Sequence, residues 1–256
     1  MTGAIWVLLP TYDEAGTLER VVDGVRAALA GAPEGLWILV VDDASPDGTG
    51  EIADRLAARH AEVEVLHRAA KEGLGAAYVA GFDRALAGGA GYVVEMDADL
   101  SHDPADLPRL VDAARAGADL AVGSRYVAGG GVEDWPAARR LVSRLGCWYA
   151  RTVLAAPVRD LTGGFKCFRA QALQQLGHRT ARSHGYAFQV ELTYRALRRG
   201  QRVVEVPIVF RDRTEGRSKM TAGIALEAAW RVIQLRLAAT EPGRIAGTAD
   251  YPSPGA

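Results

Sequence analysis

Two aspartates separated by one residue, Asp97-Ala98-Asp99, close the apolar run Tyr92-Val93-Val94-Glu95-Met96. If the chain stays extended, side chains two apart point to the same side, here at the carboxyl end of a strand. Two hard oxygen donors in that position suit Mg²⁺ or Mn²⁺ bridging a diphosphate. Acidic residues are also common in turns, so a solvated loop is the alternative reading of the triplet taken alone. A second acidic pair, Asp42-Asp43, ends Trp37-Ile38-Leu39-Val40-Val41 and is followed by the turn Ser45-Pro46-Asp47-Gly48-Thr49. Its carboxylates could accept hydrogen bonds from a base or ribose, or cap a helix. The first apolar run ends in the same manner at Pro10-Thr11-Tyr12-Asp13-Glu14.

Basic residues gather downstream. Arg125 ends a strand pattern and Arg139 and Arg140 open a helical one. Arg211, Arg213, Arg217 and Lys219 lie within Phe210–Met220 together with Gly216 and Ser218. Guanidinium groups bind phosphate in bidentate fashion, and this cluster reads as a loop that closes over phosphates. The Gly-rich segment Lys71–Ala77 lacks a phosphate-loop pattern and is better read as a tight turn into a helix.

The elements that would position these groups alternate. Strands are predicted at Ile5–Pro10, Trp37–Asp42, Val63–His67, Tyr92–Asp97 and Leu120–Gly123. Helices are predicted near Ala15–Ala30, Thr49–His60, Leu74–Ala87 and Pro104–Ala116. Such alternation implies βαβ units and a mostly parallel sheet. Asp103 can cap the fourth helix, Pro104 suits its first turn and Gly117 its end. Beyond Arg125, Gly129-Gly130-Gly131 reads as a flexible loop. A helix is expected over Ala137–Leu154, strands over Phe165–Phe168 and Val203–Phe210, and a last helix over Ala222–Ala239. Residues 240–256, rich in Gly, Pro and Ala, read as a disordered tail behind a single catalytic domain of residues 1–239.

Composition narrows the function. A formal net charge of -1 gives no reason to expect a nucleic-acid binder. Two cysteines, Cys147 and Cys167, are too few for a disulfide framework and point to a reducing, cytoplasmic setting. No secretory signal and no apolar stretch long enough to span a bilayer is visible.

Taken in order, the motifs resemble those of the family-2 glycosyltransferases of the GT-A fold, and within them the enzymes that make polyprenyl (dolichyl) phosphate mannose. The matching segments are Leu9–Glu14, Val40–Thr49, Met96–Pro104, Gly123–Tyr126, Asp160–Phe165, Gly185–Glu191 and Arg213–Met220, spread over about residues 5–235. The resemblance implies a Rossmann-like α/β domain and an inverting transfer of mannose from GDP-mannose to a polyprenyl monophosphate. It implies that Pro10, Tyr12, Glu14, Val41, Asp42 and Asp43 hold the nucleoside and that Asp97 and Asp99 carry Mg²⁺ or Mn²⁺, with Ala98 beside the donor. Some relatives carry Gln where this chain has Ser101, so Ser101 or a water would complete the metal's ligands. Gln189 and Glu191 would lie near the sugar. Arg125, Arg139 and Ser143 would take the acceptor phosphate, and Arg213 and Lys219 would clamp the donor diphosphate. Asp99, Arg125, Arg139, Arg213 and Lys219 are thus the expected catalytic set.

An acceptor that lives in lipid implies peripheral contact with the cytoplasmic face of a membrane, possible through Ala137–Leu154 and Ala222–Ala239, or through a membrane-protein partner. Inward packing of the same apolar stripes is the competing reading. Two rival functions fit less well. One is a UDP-glucose-dependent transferase acting on the same lipid. The other is an idle GT-A domain that only binds a partner, which retention of the aspartates and the basic loop disfavours.

Overall fold

The computed structural model describes residues 3–181, 183, 185–212, 222–238 and 249–250. In chain order the elements are β1 (Ile5–Thr11), α1 (Leu18–Ala28), β2 (Leu36–Asp42), α2 (Thr49–Arg59), β3 (Val63–His67), α3 (Leu74–Ala87) and β4 (Tyr92–Glu95). There follow α4 (Leu107–Arg115), β5 (Leu120–Ser124), β6 (Gly131–Val132), α5 (Ala137–Leu154), β7 (Lys166–Arg169) and α6 (Ala170–Leu176). The last described elements are α7 (Gly185–Arg198), β8 (Val203–Pro207), β9 (Val209–Phe210), α8 (Ala222–Ala238) and β10 (Ala249–Asp250).

The main sheet has the order β10-β8-β5-β7-β4-β1-β2-β3. All its pairings are parallel except those of β7, which runs antiparallel between β4 and β5. The parallel strands are buried on both faces, which is why they read as unbroken apolar runs. Along β1, Ile5, Val7 and Leu9 pack on the layer of α1 and α4, while Trp6 and Leu8 pack on the layer of α3 and α7. The period of two therefore builds two cores from one strand.

Several boundaries differ from the sequence expectation. The first helix starts at Leu18 rather than Ala15, because Glu14–Thr17 form a turn in which the Leu18 and Thr17 amides bond to the Glu14 carbonyl. The fourth begins with a 3₁₀ turn, Pro104–Asp106, capped as expected by Asp103, whose carboxylate accepts from the Ala105 amide at 3.0 Å. Val203–Phe210 is two strands, and the second, β9, leaves the main sheet to pair with β6. Within the triple glycine, Gly130 makes a close approach to the β5 end: a Cβ there would stand 2.4 Å from the Ser124 carbonyl oxygen. Inside the segment read as a tail, Ala249 and Asp250 pair with Val204 and Glu205. The helices α6 and α7 carry no counterpart among the sequence predictions.

Candidate active site

Parallel strands deliver their carboxyl ends to one side of the sheet. Asp42 ends β2, Asp97 follows β4 and Arg125 follows β5. Because β7 is antiparallel, its start arrives at that same side: Glu95 faces Lys166 in the ladder, which brings Gly163-Gly164 opposite Asp97. Three of the loops leaving this side turn through a left-handed residue that is not glycine, Asp13 (φ 61°), Ala44 (φ 59°) and Leu100 (φ 63°). Such conformations are disfavoured for residues with a Cβ and concentrate at functional loops.

The β1 and β2 ends form one wall. Pro10 is level with Val41 and Thr11 with Asp42, and the Asp43 amide bonds to the Thr11 carbonyl at 3.0 Å. Val41 is wholly buried and its side chain belongs to the core. Asp42 accepts from the Thr11 hydroxyl at 3.4 Å and lies 3.7 Å from His67. The Asp43 carboxylate pairs with Arg68 and accepts from the Glu72 and Gly73 amides at 3.1 and 2.8 Å, clasping the Gly-rich segment onto this wall. Tyr12 carries the Lys71 ammonium over its ring at 3.2 Å. Glu14 is held by Thr17, whose hydroxyl also bridges to the Ala98 carbonyl at 2.7 Å, tying the first loop to the third. Arg68 and Lys71 were not among the predicted residues.

The β4 end forms the floor. Asp99 is almost completely buried and accepts from the Ser101 amide at 3.0 Å and from the Ser101 hydroxyl. Ser101, fully buried, thus orients Asp99 through both of its donors. The Asp97 side chain is 26% exposed. A Cβ at Gly164 would sit 3.7 Å from both Asp97 carboxylate oxygens, so glycine there keeps the space before Asp97 open. Among the described residues no three His, Cys, Asp or Glu side chains form a group able to hold a metal. Two hard carboxylates beside an open floor therefore fit a divalent ion only if other oxygens, from a ligand or water, complete its shell. His102 accepts from the Asp97 amide at 3.2 Å, and burial lowers its pKa, so it stands as a neutral imidazole with its proton on Nε2. It stacks on Phe165 at 4.9 Å and meets Phe210 edge-on.

Beneath the floor lies a polar cluster that sequence reading missed. Lys166 is fully buried and donates to the Gln189 carbonyl at 2.8 Å and to its side-chain Oε1 at 2.6 Å. Burial pushes Lys166 down to about 8, and Glu95 across the ladder up to about 8. The Gln189 amide lies close enough to Glu95 to lower its pKa, yet no well-aligned bond joins them. Glu191, two residues on, accepts from the Ser183 amide at 2.9 Å and from Arg195 at 2.6 Å. The signal available in the sequence was a lysine inside the apolar run Phe165–Phe168.

The β5 end forms the opposite flank. Arg125 is buried and makes a forked pair with Asp160, Nε and Nη2 each at 2.7 Å, and also donates to Thr162 at 2.8 Å. Burial works against the Arg125 charge, but Asp160 outweighs it and holds the pKa above the usual arginine range. Arg139 pairs with Asp212 at 2.6 Å and lies 4.2 Å over the Trp135 ring. Ser143 accepts from the Tyr126 hydroxyl at 2.6 Å, joining the β5 loop to α5. Arg211 bonds to Asp103 at 2.8 Å and Glu133 at 3.1 Å, and its amide to the Ser101 carbonyl, so the chain is fastened beside the carboxylate loop where the basic segment begins. Arg213 and Lys219 lie outside the described residues.

Comparison with known proteins gives the family and the fold. The sequence profile "Glycosyl transferase family 2" matches residues 6–177. The polyprenol monophosphomannose synthase of Mycolicibacterium smegmatis is 47% identical over 229 residues, covering 89% of this chain and 85% of its own. The undecaprenyl-phosphate mannosyltransferase of Micrococcus luteus is 46% identical over 239 residues, 93% of this chain and 96% of its own. Among solved structures, glucosyl-3-phosphoglycerate synthase from Mycobacterium tuberculosis, in complex with Mn²⁺, uridine diphosphate and phosphoglyceric acid, superposes with a TM-score of 0.65. That match covers 92% of this chain and 78% of that one at 21% identity, a likeness of fold.

Proposed function

The chain belongs to glycosyl transferase family 2, and from that premise we propose that it moves mannose from GDP-mannose to a polyprenyl monophosphate with inversion at the anomeric carbon. One observation carries the reading: a single side of the sheet sets the Asp97/Asp99 pair opposite an arginine-bearing flank that continues into the exposed apolar face of α5. A site for two polyanions, one of them lipid-borne, needs such a division. The relatives' mannosyl and polyprenyl specificities support the same choice.

In this reading Tyr12, Glu14, Asp42 and Asp43 with the ends of Pro10 and Val41 cradle the nucleoside. Asp97 and Asp99 hold a Mg²⁺ or Mn²⁺ whose service is to neutralise charge on the diphosphate. Ser101 fixes the Asp99 carboxylate. Gln189, oriented by Lys166, faces the sugar, and Arg213 and Lys219 clamp the leaving diphosphate. Arg139 and Ser143, with Arg125 braced by Asp160, receive the acceptor phosphate. That phosphomonoester is already anionic near neutral pH, with a second pKa of about 6, so no side chain has to remove a proton. Its oxygen bonds to the anomeric carbon as the bond to GDP breaks, and the electron pair leaves on the diphosphate. Rate then comes from alignment and charge stabilisation.

Among the described residues no helix is long and apolar enough to cross a membrane. We assign lipid access to peripheral contact through α5 and α8. Purified protein incubated with radiolabelled GDP-mannose, UDP-glucose or UDP-galactose and a short polyprenyl phosphate tests the whole reading. Label extracted into organic solvent only from GDP-mannose is the expected result. Label from a uridine donor instead would overturn the donor assignment.

A further inference from the structure

A cavity of about 450 Å³ adjoins the Arg125 flank, lined by Arg144, Trp148 and Arg151 of α5, by Arg159 and by the Arg125–Tyr126 turn. Its electrostatics differ from those of the site described above. Arg125 is neutralised by Asp160. Arg144, Arg151 and Arg159 have no carboxylate partner among the described residues, and Arg151 Nε is buried without a hydrogen-bond partner. Three unneutralised guanidinium groups around one opening call for an anion.

The surroundings say where that anion resides. On α5, Arg144, Trp148 and Arg151 follow an i, i+4, i+7 stripe. Leu141, Leu145 and Trp148 follow a second one, exposed at 59%, 53% and 62%. The two stripes cross at Trp148. Helix α8 packs beside α5, with the Tyr149 hydroxyl donating to the Ala229 carbonyl at 3.0 Å, and adds Trp230 and Leu237, 59% and 71% exposed. An apolar face of Trp and Leu bordered by arginines is the arrangement of an interfacial helix on an anionic bilayer. The acceptor phosphate is a poorer occupant. Arg151 stands about 18 Å further along α5 than Arg139 and about 12 Å further than Ser143, at 1.5 Å per residue. Arg125, which also lines the cavity, is already matched by Asp160, so one phosphomonoester held at Arg139 and Ser143 does not reach Arg151.

We propose that this cavity binds the phosphate head group of an anionic membrane phospholipid, which seats α5 and α8 in the interface and sets the depth at which acceptor lipid is met. The proposal rests on the lipid-acceptor reading above but names a second ligand, one that is not consumed.

The test uses the full chain and the triple variant Arg144→Gln/Arg151→Gln/Arg159→Gln, with Arg159→Gln alone as a milder companion and thermal melting as the check on folding. Binding is measured by sedimentation with phosphatidylglycerol or phosphatidylcholine vesicles that contain no polyprenyl phosphate. The wild type is expected to bind phosphatidylglycerol vesicles and to lose that binding as salt rises. The triple variant should bind about a hundredfold more weakly, from roughly fivefold per arginine near an anionic surface, and the single variant about fivefold. Transfer to a short, water-soluble polyprenyl phosphate should stay within about twofold of wild type. Unchanged vesicle binding in the triple variant would overturn the proposal. So would intact vesicle binding with a sharply raised KM for the short acceptor, which would make the cavity an acceptor site. If the wild type transferred no mannose yet bound vesicles through these arginines, the functional reading would fail and this one would stand.

Discussion

The acidic floor and the basic flank hold their charges in opposite ways. At the floor, Asp99 accepts from two neutral donors, the amide and hydroxyl of Ser101, which orient its carboxylate. On the flank, Arg125 and Arg139 are already matched by Asp160 and Asp212, while Arg144 and Arg151, with no carboxylate partner among the described residues, stand further along α5 and Arg159 just beyond it. Residue type alone made these two regions look symmetrical, a pair of acids and a set of bases each awaiting a ligand. The structure separates a carboxylate oriented by neutral donors from guanidinium groups already matched by carboxylates.

The largest effects should come from the floor. Asp99→Ala removes a carboxylate that no neighbour replaces, and transfer should fall about a thousandfold at saturating Mg²⁺ or Mn²⁺. Near-normal turnover, followed as organic-extractable label, would sink the metal-diphosphate assignment. On the flank the analogous change should act on stability. Asp160→Asn leaves Arg125 buried and uncompensated, at a cost of about 3–5 kcal/mol. Calorimetry should show Tm lower by about 10 °C for a domain of this size. The sign of the pH dependence follows. Burial tends to raise the Asp160 pKa, but the Arg125 charge and hydrogen bonds outweigh it and hold it below the ordinary value. Its contribution is therefore present above about pH 4 and is lost as pH falls through the lower, folded-state pKa. Wild type should lose stability in that acid range more steeply than Asp160→Asn. Parallel pH curves would mean that Arg125 is not held by this pair.

Legibility followed the same division. Parallel strands buried on both faces announced themselves as apolar runs, so β1 to β5 and the acids at their ends could be read directly. The helix α7 could not, because Gln189, Glu191 and Thr193 interrupt its apolar face; Gln189 and Glu191 are satisfied by Lys166 and the Ser183 amide outside the helix, and Thr193 by the Gln189 carbonyl one turn back. The left-handed turns at Ala44 and Leu100 were equally hidden, since neither residue type advertises a positive φ. The commitment of Arg125 to Asp160 joins residues 35 apart, through the one antiparallel strand in the sheet. Residue types on a strand end are local facts, whereas pairing across a sheet is set by topology.

Lys166 tests whether the two regions are coupled beneath the surface. In Lys166→Met the Gln189 side chain loses the donor that orients it, and kcat should fall about tenfold, the scale of one displaced polar contact near the reacting centre. Stability should change little, because burial already holds Glu95 at about 8, and loss of the facing ammonium leaves it protonated at neutral pH. Adding Glu95→Gln should then change neither quantity further. A Lys166→Met protein with unaltered kcat would reduce the cluster to a purely structural one.

Ser101 gives the smallest and most discriminating effect. If it orients Asp99, Ser101→Ala removes one hydroxyl bond to a charged group, worth about 1.5 kcal/mol, while the amide bond persists. The metal concentration for half-maximal activity should rise about tenfold, with the rate at saturation nearly restored. If Ser101 were instead a ligand of the ion, as its place in the motif first suggested, Ser101→Ala should also shift the preference between Mg²⁺ and Mn²⁺, since the two ions differ in the coordination they tolerate. A uniform rise for both ions assigns Ser101 to the floor's internal bracing, as its two bonds to Asp99 imply. A selective rise would return it to the coordination shell and make Ser101, unlike Asp160 on the flank, a residue whose apparent bracing is function.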